Sequence, residues 1–127
     1  MKKDNGKKNA KKNTKSPKGA KDITFYVATW ACCDSEGYFS HGTLTDIFAT
    51  KESAHKAIMD SIRADVEESV NCYDQAEWES VYGADTIDGI VDKFICSELD
   101  TFITARDPST DMEFQYGIVK YSTKYIK

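Results

Sequence analysis

Carboxylates are the side chains best supplied for chemistry in this sequence. Between Asp60 and Asp100 stand twelve acids: Asp60, Asp65, Glu67, Glu68, Asp74, Glu77, Glu79, Asp85, Asp88, Asp92, Glu98 and Asp100. Only Arg63 and Lys93 oppose them within that span. Carboxylates held on one surface sum their fields, which speeds the encounter with a basic partner and fades with salt. The sharpest use of such a surface is mimicry of a nucleic-acid backbone. Carboxylates then stand in for phosphates and occupy the groove of a DNA- or RNA-handling complex, as small inhibitors carried by viruses and mobile elements do. That analogy is one of charge alone. The residues it assigns to partner contact are Asp60, Glu67, Glu68, Asp74, Glu77, Glu79, Asp85, Asp88 and Asp92. The competing explanation is a solvated acidic face that serves solubility.

The opposite charge is gathered at the N-terminus. Residues 1–21 hold nine lysines and one aspartate, whereas residues 22–127 hold eight Lys or Arg against twenty acids, so the formal net charge of −4 describes neither part. Lys7, Lys8, Lys11, Lys12, Lys15 and Lys18 can neutralise phosphates and release counterions, which gives salt-sensitive binding without sequence preference. A nucleic-acid-binding protein anchored by this tail is the alternative reading. The tail carries neither arginine nor aromatics, so it offers no bidentate base readout and no stacking. An anionic lipid surface, or the chain's own acidic part, would also suit it.

Other constellations are thinner. Cys32, Cys33, His41 and His55 are the soft metal ligands closest together in sequence, but no C-x-x-C or H-x-x-x-H spacing links them. Asp85, Asp88 and Asp92 share one helical face without the D-x-D-x-D-G loop of a calcium site. Asp107, Glu113, Gln115 and Lys120, with Asp111 nearby, distantly resemble the carboxylate pattern of metal-dependent nucleases, which makes a small metal-dependent hydrolase the second alternative. Gln115 stands where that pattern has lysine. The scattered glycines form no phosphate-binding loop. Trp30 and Trp78 are expected in the core. The reading assigns no catalytic residue, no metal and no cofactor.

Hydrophobic periodicity supplies the elements that would carry these groups. Ile23 to Ala31 reads as a strand apolar on both faces, and Tyr38 to Phe48 as its antiparallel partner, with Gly42 marking a bulge. Thr50 caps a helix whose apolar stripe runs through Ala54, Ala57, Ile58, Ile62, Val66 and Val70 to Tyr73. A short helix over Asp74 to Tyr82 ends at Gly83, and Asp85 to Ile95 forms a third helix. Leu99 to Arg106 and Met112 to Tyr121 read as strands around the turn at Pro108. The expected fold is α+β, an antiparallel four-stranded sheet in ββαααββ order with helices on one face. Residues 22–127 form a single acidic domain preceded by a disordered Lys-rich tail over 1–21.

No apolar run is long enough to span a bilayer, and the N-terminus lacks the apolar core of a signal peptide. An intracellular, cytoplasmic setting with reduced thiols is therefore expected. The sequence thus points to a non-enzymatic protein-binding module whose partner presents a basic groove.

Overall fold

A computed structural model of the chain describes residues 22–125. The lysine-rich segment 1–21, with every tail residue named above, lies outside the described residues. Strands β1 (Thr24–Cys33) and β2 (Phe39–Phe48) form a hairpin. Its turn is closed by Asp34, whose Oδ1 accepts from the backbone N–H groups of Glu36 and Tyr38, and by Gly37 at φ 89°. Helix α1 (Lys51–Val70) begins where the Thr50 hydroxyl accepts from the Ser53 N–H at 3.1 Å. It buries Ala54, Ile58, Ile62, Val66 and Val70, the three- and four-residue spacing of an amphipathic helix. A 3-10 turn over Gln75–Glu77 leads into the five-residue α2 (Trp78–Tyr82), which Gly83 ends in a left-handed conformation at φ 84°. Helix α3 (Ile87–Phe94) is capped by Thr86. Strands β3 (Ile95–Glu98), β4 (Phe102–Arg106) and β5 (Glu113–Ser122) follow, and a 3-10 turn over Thr123–Tyr125 ends the described residues.

The strands form one antiparallel sheet in the order β2-β1-β5-β4-β3. Its centre is the ten-residue register of β1 against β5, which unites the two ends of the sequence. Helices α1 and α3 cover one face. Against them the sheet presents Ala28, Ile103, Ala105, Tyr116 and Ile118, which are buried with Ile58, Ile62, Ile90 and Phe94. Full burial of each large apolar side chain contributes about 1.5–3 kcal/mol. Trp30 and Trp78 pack against this core from its margin, and the Trp78 indole N–H is buried without a hydrogen-bond partner. No helix among the described residues is long and apolar enough to cross a membrane.

The α+β class and the helices on one face agree with expectation, but the sheet has five strands rather than four, and the order is ββαααβββ. The additional strand is β3. Ile95 continues the apolar stripe of α3 in sequence, yet its backbone turns extended (φ −74°, ψ 118°) and pairs with Ala105. Neither glycine nor proline marks that boundary, so periodicity alone carries the helix one residue too far. Gly42 is likewise not the bulge. The register of β1 and β2 shifts between the Val27–Ile47 and Thr29–Thr43 pairs, while Gly42 pairs regularly with Trp30. A Cβ at Gly42 would stand 3.0 Å from the Trp30 ring, so the glycine makes room for the indole.

Candidate functional site

The nine acids assigned to partner contact are all exposed. They belong to the helical layer because the apolar stripes of α1 and α3 turn inward and leave the polar sides outward. Asp60 pairs with Lys56 at 2.9 Å. Arg63 hydrogen-bonds to Asp88, and its Nε lies 3.9 Å from Glu67, so α1 and the first turn of α3 share one cation. Asp74 and Glu77 form a capping box in which Glu77 accepts from the Asp74 N–H at 3.0 Å. Glu68, Glu79, Asp85 and Asp92 have no ion pair among the described residues. Exposed pairs of this kind contribute at most about 1 kcal/mol and exchange readily with solvent, so the paired carboxylates also stay open to a competing cation.

At one end of this layer the structure brings together residues that the sequence reading did not group. A cleft of about 390 Å³ opens between the C-terminal half of α1 and the β4–β5 turn. Asp65, Glu68 and Asp107 supply its carboxylates, Ser69, Ser109 and Cys72 its smaller polar groups, and Tyr73, Met112 and Phe114 its apolar wall. Asp65 is half-buried and accepts from the Tyr116 hydroxyl at 3.3 Å. Burial pushes its pKa above the ordinary value, opposing the Tyr116 hydrogen bond, which lowers it, and Glu68 and Asp107 add repulsion in the same upward direction. Asp107 is only 7% exposed, and its Oδ1 accepts from both the backbone N–H and the hydroxyl of Ser109. Such a site suits a cation with an apolar stem, the form of a lysine or arginine side chain. The signal in the sequence was Asp65 itself, three residues after Ile62 and four before Ser69, on the inward side of α1.

The other groupings weighed from the sequence do not assemble among the described residues. His41 pairs across the strands with Ala31, and Cys32 with Ser40, so strand alternation sends His41 and Cys32 to opposite faces. His55 lies on α1 with its Nε2 3.0 Å from Glu98. All four cysteines are free, and no three His, Cys, Asp or Glu side chains among the described residues surround one metal position. Of the nuclease-like pattern, Asp107 faces the cleft, Glu113 pairs with Arg106 across the uncovered sheet face, and Asp111 binds Arg106. Lys120 is seven residues from Glu113 on β5 and therefore projects to the other face.

Comparison with protein-family models, with curated proteins and with solved structures finds no match for this chain.

Proposed function

We propose that this protein is a non-enzymatic binding module whose acidic helical layer docks into a basic groove of another protein, most concretely as a nucleic-acid-mimic inhibitor of a nucleic-acid-handling complex inside the cell. The observation that carries this reading is the placement of the acids. Those on α1, the following turn and α2–α3 stand exposed on the helical layer, and Glu68, Glu79, Asp85 and Asp92 are unpaired among the described residues. The cleft beside Asp65 adds a place where one basic side chain of the partner would anchor its stem against Tyr73 and Met112.

The test is competition. Immobilised protein should retain a basic nucleic-acid-binding partner from its host's extract, and either raised salt or added duplex DNA should release it. The triple variant Glu68→Lys, Glu79→Lys and Asp92→Lys, checked for folding by circular dichroism, should lose that retention. A partner that stays bound to the folded triple variant, or that DNA cannot displace, sinks the reading.

A further inference from the structure

Helices cover only one side of the sheet. Strand register fixes which side chains occupy the other side, in rows running across the strands. Phe25 stacks on Tyr121 with ring centroids 5.4 Å apart. Ile47, Val27 and Val119 form the next row, then Thr43, Thr29, Gly117 and Phe102, then His41, Ala31, Gln115 and Thr104. These four rows contain no Asp, Glu, Lys or Arg. Charge enters only in the last row, where Arg106 and Glu113 are cross-strand partners. Yet Ile47 is 68% exposed, Tyr121 48%, Phe102 41% and Val119 39%. In a body with twenty acids and eight Lys or Arg, this uncharged, apolar area stands apart.

From this arrangement we infer that the open sheet face binds a second copy of the same chain, sheet against sheet. Three observations favour that occupant. First, the face has the size such a contact needs. Three ten-residue strands and two shorter ones cover roughly 600 Å² per copy, or about 1,200 Å² for two, which is the lower bound of a specific interface. Secondly, the charge distribution permits it. Two acidic bodies repel wherever their helical layers meet, but face-to-face packing puts those layers on opposite outsides, roughly 30 Å apart and well beyond the Debye length of about 8 Å. Thirdly, the face is uneven in a self-complementary way. The small residues Thr29, Ala31 and Gly117 floor a trough of about 410 Å³, and Phe102 stands at its side. A two-fold axis through the face would seat Phe102 of each copy in the trough of the other, the isologous contact that closed dimers use. The dimer would then present two acidic layers on its outer sides. Arg106, in the row that closes this face, stands beside the carboxylates of Glu113 and Asp111, which oppose a polyanion lying on the same aromatics.

The experiment is sedimentation equilibrium on the full chain at physiological salt, up to about 200 μM. The expected mass is twice the 14.3 kDa of the chain. Phe102→Glu and Thr43→Glu should each weaken association at least about tenfold, the effect of truncating an interface anchor. Ala64→Glu, which adds the same charge on the exposed side of α1, should not weaken it. Thermal melts establish that each variant is folded. Raised salt should leave the dimer intact, which separates it from salt-released capture by the acidic layer. A monomer throughout the concentration range overturns the inference. So does a dimer indifferent to Phe102→Glu, which would mean pairing through another surface, such as the β2 or β3 edge of the sheet. Retention of a thymidine oligonucleotide that Phe102→Glu abolishes, in a chain that remains monomeric, would instead assign the face to single-stranded nucleic acid.

Discussion

Asp65 keeps a carboxyl half inside the protein, and burial raises its pKa above 3.8 although the Tyr116 hydroxyl donates to it. In the unfolded chain the group ionises at its ordinary value. Between those two pKa values the native state holds a proton that the unfolded state has released. Stability therefore falls as pH rises through that window, and the loss is complete above the raised value. Near neutral pH the charged form is thus carried at a penalty. Asp65→Asn keeps an acceptor for Tyr116 and cannot ionise. Its melting temperature should exceed the parent's at about pH 7, and the difference should shrink as the pH is lowered towards about 4. Calorimetric scans across that range would check this. A variant less stable at pH 7 would mean that the negative charge itself holds Tyr116. The same residue marks the limit of sequence reading at this scale. An aspartate among apolar neighbours was visible, but Asp107, Ser109 and Met112, which close the cleft around it, come from the β4–β5 turn, far along the sequence.

At the scale of elements, α1 was legible because three signals agree: the Thr50 cap, an acid in the first turn, and an apolar stripe over five turns. Both hairpins were legible from their turn residues and strand alternation. Strand β3 was not, because its first residue also satisfies the helical period and its four residues carry no alternation of their own. Pairing with β4 decides its conformation, and pairing is a tertiary fact. Gly42 was misread for a related reason. Glycine in a strand suggests a bulge, but here the space above it belongs to Trp30, whose indole packs against the core. Gly42→Ala would put a methyl group 3.0 Å from a ring with little freedom to retreat. The expected loss is about 1–3 kcal/mol, the usual effect of overpacking. Urea denaturation would measure it, and an unchanged midpoint would show that Trp30 can yield without disturbing the core.

Over the whole molecule, charge and apolar exposure are separated by the sheet. Acids gather on the helical layer, while four rows of the uncovered face carry none. The sequence revealed the imbalance but not this separation, because register and strand order decide which residues share a face. Asp92 shows what the acidic layer does to stability. It lies in the last turn of α3, where the negative end of the helix dipole opposes a carboxylate, and the exposed Asp88 stands four residues earlier on the same helix. Asp92→Lys removes both repulsions and should stabilise the protein by about 0.5 kcal/mol at low salt. Because exposed charges are screened, that gain should be largest near 20 mM salt and mostly gone by about 500 mM. Urea denaturation at the two salt concentrations would test it. A gain that persists at high salt would have to come from packing instead. If Asp92 also contacts a basic partner, the variant should be more stable and at the same time bind less well. That opposition is expected where a surface keeps like charges together for binding rather than for folding.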